Sequence, residues 1–370
     1  TGEPWWEVGL TGAVLHFGET IDLDHDGTLD VFASGSLDFP SLAFGVGEDY
    51  HQLAFENYGD FLGPVWGDFD RDGDGEWVTT ATGNLGPYLL AYDGKTYAWR
   101  SGPIELPLGV HSLRSRDIDG DGRNEILIAG GSSTCQPSLL AVELSASAME
   151  TVWQADACDS FTDAEVGDID GDGHLEVVGK GYFLSVFDGR TGAFEWSLPE
   201  TSFDTPQTEQ TGLELVDLTG DGTAEILVLG GSRKTQRRLL VVDGRTRRLI
   251  QKLVGPFELI STSLDRPPEK RHSFWTWDGT ALIEYRQIGL DLRPAQRLPW
   301  PYLVSSIVES GLDLWLLGPG SGVVQFRPGR GILWQSGPYD LGGHGRALAF
   351  TPSGPHRFVA AGPSALRAFP

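Results

Sequence analysis

The sequence predicts an all-β fold, in which eight copies of a four-stranded unit form the blades of one β-propeller. Three observations lead to this prediction: a short acidic pattern occurs five times, its copies start 46 to 51 residues apart, and a β-rich run follows each copy. A four-stranded propeller blade has about this length, so each copy marks one blade.

Each acidic pattern has the composition of a loop that binds a hard cation. Oxygen-bearing side chains stand at positions 1, 3 and 5, glycine at position 6 allows a sharp turn, and a carboxylate closes the loop at position 9. Position 7 offers its backbone carbonyl. Because calcium takes about six to eight oxygens, we predict about five Ca2+ sites.

The predicted ligands fall into five loops, numbered in chain order. They are Asp22, Asp24, Asp26, Thr28 and Asp30 in acidic loop 1; Asp68, Asp70, Asp72, Asp74 and Glu76 in loop 2; Asp117, Asp119, Asp121, Arg123 and Glu125 in loop 3; Asp168, Asp170, Asp172, His174 and Glu176 in loop 4; and Asp217, Thr219, Asp221, Thr223 and Glu225 in loop 5.

The position of the last acid indicates that each loop joins two strands. A helix-flanked calcium hand closes at position 12 and continues as a helix, whereas here β-rich runs such as the one at Glu125 begin at position 9. Thr219 replaces the carboxylate at position 3 of loop 5, so we expect loop 5 to be the weakest site. The alternative is a set of acidic surface turns that hold no metal.

A second signal predicts the next hairpin of the blade. Asp-Gly pairs at residues 93–94, 188–189 and 243–244 lie between apolar runs, as in tight β-hairpins. Tryptophans then stand in several predicted fourth strands, where we expect their rings to pack between neighbouring blades rather than against a ligand. These tryptophans are Trp99, Trp153, Trp196 and Trp334.

The repeat continues after the acids stop. Strand-like segments near residues 265, 310 and 350 keep the register, so residues 1–370 are expected to form one domain. The metal-loop blades cover about 13–255, and three degenerate blades cover about 256–370 together with 1–10. Residues 364–369 resemble a third strand and residues 4–8 a fourth, so we expect the N-terminal strand to close the eighth blade. Seven blades are the alternative.

The Asp-x-Asp-x-Asp-Gly-x-x-Asp/Glu loops with their β-rich runs resemble the FG-GAP or VCBS repeats of integrin α-subunit propellers and of many bacterial secreted proteins. The resemblance covers residues 13–255 well and the remainder only by register. It implies structural calcium sites between strands 1 and 2 on one face, with the opposite face left for ligands. Integrin propellers have seven blades, so the predicted eight is a departure.

The acidity of the chain belongs largely to these loops. They supply 19 predicted ligand carboxylates out of 52 acidic residues, and five Ca2+ ions would change the formal net charge from −25 to about −15. The negative charge argues against nucleic acid or an anionic membrane as a partner. No membrane span is predicted, although the first residues would suit a tether behind a lipid anchor.

The expected location is extracellular or the cell envelope, because the millimolar calcium found outside cells suits loops of this kind.

 
A bacterial source is favoured by the 22 arginines against five lysines, a usage common in GC-rich coding. Cys135 and Cys158 are the two cysteines, and the sequence allows either a disulfide between them or two free thiols.

Candidate catalytic residues are few. The chain has no nucleophile elbow, phosphate loop or zinc-helix motif. His16, His111 and His344 each stand six residues before the first position of a unit, so equivalent first strands would place them near one mouth of the ring, where imidazole can act as a general base. Solvated strand ends are the alternative reading. Arg114 or Arg116 would neutralise an anionic substrate.

The function that the sequence favours is a recognition or adhesion module, with a protein or glycan bound at the face opposite calcium. Longer connections at residues 197–210 and 288–302 are candidates for that face, the second carrying Arg293, Arg297 and Trp300. Two alternatives stay open: a polysaccharide lyase that uses the histidines, and a structural subunit of a surface assembly.

Overall fold

The computed structural model describes much of the chain, with side chains for most residues between 65 and 335. The described residues are 6–9, 14–21, 30–36, 42–44, 61–73, 75–83, 86–93, 99–107, 109–131, 137–145, 148–157, 159–198, 212–230, 237–255, 257, 259–263, 268–288, 291–304, 306–318, 322–335, 347–350, 358–361 and 365–369.

The described strands form eight sheets, numbered here in chain order. β1 (Trp6–Gly9) belongs to sheet 8. Sheet 1 contains β2 (Val14–Ile21), β3 (Asp30–Ser36) and β4 (Leu42–Phe44); sheet 2 contains β5 (Phe61–Gly67), β6 (Glu76–Gly83), β7 (Gly86–Asp93) and β8 (Trp99–Glu105); sheet 3 contains β9 (Val110–Arg116), β10 (Glu125–Gly130), β11 (Leu139–Leu144) and β12 (Met149–Ala155); and sheet 4 contains β13 (Asp163–Gly167), β14 (Glu176–Lys180), β15 (Leu184–Asp188) and β16 (Phe194–Leu198).

The second half of the chain repeats this arrangement. Sheet 5 contains β17 (Leu213–Val216), β18 (Glu225–Gly230), β19 (Arg237–Asp243) and β20 (Arg248–Gly255); sheet 6 contains β21 (Leu259–Ile260), β23 (Ser273–Trp277), β24 (Ala281–Ile288) and β25 (Asp291–Pro299); sheet 7 contains β22 (Thr262–Ser263), β26 (Ser306–Ser310), β27 (Asp313–Gly318), β28 (Gly322–Arg327) and β29 (Gly331–Gln335); and sheet 8 contains β30 (Ala347–Phe350), β31 (Phe358–Ala361), β32 (Ala365–Phe369) and β1.

Helix is nearly absent from these segments. A single turn of 3-10 helix, Pro268–Lys270, is the helical element of the described residues. None of the described helical structure has the length and apolar content that would be needed to cross a bilayer.

The strand order explains the apolar runs in the sequence. The second and third strands have neighbours on both sides, and their two faces pack against other sheets, so β10 is buried at every position. The fourth strand lies at the outer edge, and β12 accordingly alternates between buried and exposed residues. Burial of both faces is what selects runs of Ile, Leu and Val in the central strands.

The core consists of apolar layers between neighbouring sheets. Leu89 of sheet 2 packs in one cluster with Ile126 of sheet 3, and Leu127 of sheet 3 packs in another with Val177 of sheet 4. Similar clusters join sheets 4 and 5, sheets 5 and 6, and sheets 6 and 7. Sheets 2 to 7 therefore gain stability from the burial of apolar surface against their neighbours.

The innermost strands of successive sheets also contact one another. β5 contacts β2 and β9, β13 contacts β9 and β17, and β30 contacts β26 and β2. At the outer edge of sheet 8, β1 pairs antiparallel with β32, with Trp6 opposite Ala368. Strands from the two ends of the described chain thus share one sheet.

The structure confirms where the acidic loops and hairpins lie. Loops 2 to 5 each connect a first strand to a second strand, and in all four the closing glutamate is the first residue of that second strand. The Asp-Gly pairs lie between third and fourth strands, since β7, β15 and β19 end at Asp93, Asp188 and Asp243. The connections between first and second strands and those between third and fourth strands lie at the same end of each sheet, which we call the acidic end.

Two sequence-based expectations were wrong. Trp153, Trp196 and Trp334 occupy one repeating position of the fourth strand, but Trp99 lies two residues before it, and Ser101 takes its place. Residues 291–299 of the second candidate binding loop form β25 and not a loop, because their side chains alternate beside β24. Cys135, Cys158 and most of residues 197–210 lie outside the described residues.

Candidate metal centres

Each described acidic loop is tied across its width by its closing glutamate. The Oε2 atom of that glutamate accepts a hydrogen bond from the backbone N–H of position 2. The N–O distances are 3.1 Å from Phe69 to Glu76, 2.9 Å from Ile118 to Glu125, 2.9 Å from Ile169 to Glu176 and 2.7 Å from Leu218 to Glu225. The second carboxylate oxygen is left to face the loop interior.

The aspartate at position 1 shapes the turn. In loop 3 the Asp117 carboxylate accepts N–H groups from Gly120 at 2.8 Å and Gly122 at 2.9 Å. Both glycines have positive φ, 80° and 83°, a region that L side chains rarely adopt. The glycine at position 6 is therefore required by the backbone, as the sequence predicted.

Loops 3 and 4 bring together three of the predicted ligands. The carboxylates at positions 1, 3 and 9 place one oxygen each within 4.8 Å of the others in both loops. The three residues are Asp117, Asp119 and Glu125 in loop 3, and Asp168, Asp170 and Glu176 in loop 4. Such a set of hard oxygens fits a divalent cation.

These carboxylates repel one another. Burial raises the pKa of Glu125 to about 7, and the negative charges of Asp119 and Asp117 add to the shift. Burial likewise raises the pKa of Glu176 to about 8, with Asp170 contributing. A bound cation would remove this repulsion, which is the electrostatic reason that the two loops suit a metal.

The remaining predicted ligands take other positions. Asp121 at position 5 accepts the backbone N–H and the Nε–H of Arg123, and Asp172 accepts the N–H of His174, so these carboxylates bond within their own loops. Asp22, Asp24, Asp26, Thr28 and Asp74 lie outside the described residues, and only the backbone of Asp30 is described, at the start of β3.

Loop 2 departs from this pattern. Asp68, Asp70 and Glu76 are grouped as in loops 3 and 4, but the guanidinium of Arg100 lies among the carboxylates and pairs with Asp70 and Glu76. This contact was not predicted from the sequence, because Arg100 follows the loop by 24 residues and has no charged counterpart at the same place in the next unit.

Loop 5 has one carboxylate fewer. Thr219 stands at position 3 and donates its hydroxyl to Asp217 at 3.4 Å, while the Asp221 carboxylate binds the hydroxyl of Thr223. His272 Nδ1 lies 3.8 Å from Asp217 Oδ2. With two acids facing Glu225 instead of three, this loop offers a cation the weakest set of oxygens among the described loops.

Loops 3 and 4 each accept a hydrogen bond from the hairpin of the next sheet. Arg190 donates to the backbone carbonyl of Asp119 at 3.3 Å, and Arg245 donates to that of Asp170 at 3.0 Å. Both arginines follow the Asp-Gly pair of the adjacent sheet. The approach needs glycine, since a Cβ on Gly189 would lie 2.3 Å from the carbonyl oxygen of Ile118.

The innermost strands carry ion pairs that the sequence did not predict. Arg114 pairs with Asp163 at 2.9 Å and with Glu165 at 3.4 Å, so the charge proposed for an anionic substrate is already neutralised by the next sheet. Arg116 also pairs with Glu165, at 3.3 Å. On β17, the next innermost strand, Glu214 pairs with buried Arg271 at 2.8 Å.

The structure describes one of the three candidate histidines in full. His111 is exposed, and its Nδ1 lies 3.0 Å from the carbonyl oxygen of Phe161, which fixes the ring against the connection to sheet 4. The side chain of His16, and all of His344, lie outside the described residues. The three-histidine cluster therefore stays a prediction.

A rigid aromatic turn stands at the end of sheet 4 opposite the acidic end. The buried carboxylate of Asp159 accepts the backbone N–H groups of Tyr182 at 2.9 Å and Phe183 at 2.8 Å. The two rings nevertheless face solvent, with 51% and 39% of each residue exposed. Because Asp159 holds this turn through backbone N–H groups, the side chains of Tyr182 and Phe183 are available for contact.

Comparisons with known proteins identify the fold. No protein-family model and no curated protein matches the chain. Among solved structures, Saccharomyces cerevisiae Sqt1 is similar with a TM-score of 0.72 at 13% identity over 100% of this chain and 99% of that one. The Dos1 propeller follows with 0.62 at 11% identity over 99% and 95%.

A third similar structure is that of BBS1N in complex with ARL6DN, with a TM-score of 0.52 at 12% identity over 82% of this chain and 90% of that one. The neighbours are β-propellers. This chain has a β-propeller fold. Identity at this level says nothing more specific, so the acidic loops and the aromatic turn have to be interpreted from their own chemistry.

Proposed function

We propose that the protein is a calcium-stabilised β-propeller of eight blades that serves as an extracellular recognition module and binds a protein partner at the end opposite its acidic loops. The observation that carries the metal role is the convergence of three carboxylates in each of loops 3 and 4. The resemblance of these loops to FG-GAP or VCBS repeats supports the same role.

The eight-bladed ring is supported by the arrangement of the described strands. Eight sheets are described, the innermost strands of neighbours contact one another, and β30 contacts β2. The pairing of β1 with β32 supports closure of the eighth blade by the N-terminal strand. Such pairing covers an edge that would otherwise be open to other chains.

Recognition is supported by the aromatic turn. Exposed aromatic rings on an ordered backbone are favoured at protein interfaces, because little conformational entropy is lost when they bind. Tyr182 and Phe183 meet this description. A similar structure is a propeller-containing complex, BBS1N with ARL6DN, which supports a protein rather than a glycan as the partner.

The metal role is tested by counting calcium in the whole chain and by melting it before and after chelation. Asp119→Asn and Asp170→Asn should each remove one Ca2+ and lower Tm in calcium, whereas Glu150→Gln, at an exposed acid outside the loops, should change neither. Retention of both ions in the two loop variants, or an unchanged Tm after chelation, would contradict the metal role.

The recognition role is tested with a double variant, Tyr182→Ala with Phe183→Ala. The crosslinks that the wild type forms with partner proteins should be lost in this double variant but kept in Leu312→Ala. Leu312 is a matched control because it is 77% exposed in the β26–β27 turn, at the acidic end. The same crosslinks with the double variant as with the wild type would rule out the aromatic turn.

A further inference from the structure

The fourth strands of sheets 2 to 5 carry a β-bulge at one repeating place. At each bulge the fourth strand has one extra residue between the partners of two consecutive third-strand residues. These two residues lie directly before an acid near the end of the third strand. A bulge changes the direction of the extra side chain. The extra residues are Arg100, Val152, Glu195 and Ile250. All four lie at the acidic end, directly after the hairpin.

Arg100 is aimed into loop 2. Its guanidinium pairs with Asp70, with Asp72 at 2.8 Å, with Glu76 at 3.3 Å and with Asp93 at 3.0 Å. Asp70 and Glu76 are almost fully buried, and the Arg100 side chain is only 15% exposed. A single cation is thus shared by four carboxylates in a site largely shielded from water, where such charge-assisted hydrogen bonds are strong.

The counterparts of Arg100 place no positive charge among the grouped carboxylates of loops 3 and 4. Val152 lies beside Asp119 and Glu125 in a small cavity and carries no charge. Glu195 is the extra residue of the bulge in β16 and is an acid, so it supplies no cation to loop 4. Within the described segments no arginine or lysine forms an ion pair with the grouped carboxylates of these two loops.

We propose that the bulge residue decides how each acidic loop is neutralised, and that Arg100 is the built-in cation of loop 2, which therefore binds no calcium. Loops 3 and 4 take calcium instead, a statement that rests on the proposed function. Calcium in loop 2 would have to displace the guanidinium from four carboxylates and then stand beside an unpaired positive charge. The number of metal ions is accordingly lower than the number of acidic loops.

Reciprocal substitutions at the bulge test the proposal. In native mass spectrometry of the full chain after removal of free calcium, Arg100→Val should gain one Ca2+, and Val152→Arg should lose one. Val254→Arg is the matched control, because Val254 is an exposed residue of a fourth strand away from the bulge, and its count should equal that of the wild type.

A second substitution assigns the gained ion to loop 2. Asp70→Asn should leave the wild-type count unchanged and should abolish the gain in Arg100→Val. Thermal melting provides a readout that does not depend on counting ions. The Tm of Arg100→Val should be below that of the wild type under chelation and should rise again when calcium is added. An equal loss of Tm with and without calcium would contradict the proposal.

The outcomes separate this inference from the proposed function. Two results would overturn the role of Arg100 alone: loss of one ion in the single variant Asp70→Asn, or no gain of an ion in folded Arg100→Val. In both cases Asp119→Asn and Asp170→Asn must each still remove an ion. An absence of calcium from the wild type and from every variant would overturn the metal role and this inference together.

Discussion

The indole Nε1 of Trp153 donates a hydrogen bond of 2.7 Å to the backbone carbonyl of Gly189, 36 residues later in the neighbouring sheet. The ring is buried, and the hairpin bends closely around it, since a Cβ on Gly192 would lie 2.6 Å from the ring. The Trp153 ring, which was predicted to pack between blades, therefore also joins them by a hydrogen bond, and it lies next to loop 3.

We expect Trp153→Phe to lower the free energy of unfolding by about 1–3 kcal/mol, because it leaves the buried carbonyl of Gly189 without its donor while it keeps most of the apolar contact. Urea unfolding in calcium measures the loss. Val254→Ala, at an exposed fourth-strand position, should stay within about 0.5 kcal/mol of the wild type. A similar small effect of Trp153→Phe would show that the hydrogen bond contributes little.

Thr219→Asp should restore the third carboxylate of loop 5. Together with Asp217 and Glu225 the new acid gives the set found in loops 3 and 4, so calcium affinity of that loop should rise about tenfold, or about 1.4 kcal/mol. Without calcium the same substitution adds repulsion and should lower Tm. Calorimetric titration and melting under chelation check the two effects, and Thr219→Asn is the uncharged control.

The buried pair of Arg271 and Glu214 should be necessary for stability. Arg271→Met leaves Glu214 and the nearby Glu309 without their buried cation, at a cost of about 3–5 kcal/mol. Unfolding at pH 5 and pH 8 should show a larger loss at pH 8, because protonation relieves the uncompensated carboxylates. Adding Glu214→Gln should recover part of the loss, and no recovery would mean that the pair acts only through packing.

Stability should rise with pH above 8 through Lys180. Burial lowers the pKa of this lysine from 10.5 to about 8, so between these values the unfolded chain binds more protons than the folded chain. Lys180→Met should remove this rise and should be more stable than the wild type at pH 7 by about 1–3 kcal/mol. Exposed Lys270→Met is the control, and a wild-type slope in Lys180→Met would refute the assignment.

The parts of the fold that repeat in sequence were predictable, and the contacts between repeats were not. Acid spacing and the Asp-Gly pairs gave the correct ends of strands such as β14 and β15, because both patterns reflect local backbone geometry. The misplacement of Trp99 and the pairing of Arg100 with Asp70 both arise from how a bulge sets the register of a fourth strand. That register depends on through-space pairing, which residue spacing does not encode.

Sheets 6 and 7 share a run of five residues. β21 pairs with β23 in sheet 6, and after Ser261 the chain turns so that β22 pairs in parallel with β26 in sheet 7. Because opening either sheet disturbs the same short run, the amide protons of β23 and β26 should report one common free energy of opening in hydrogen exchange. We therefore expect the two sheets to open as a single unit of local unfolding, although the sequence divides them into two repeats.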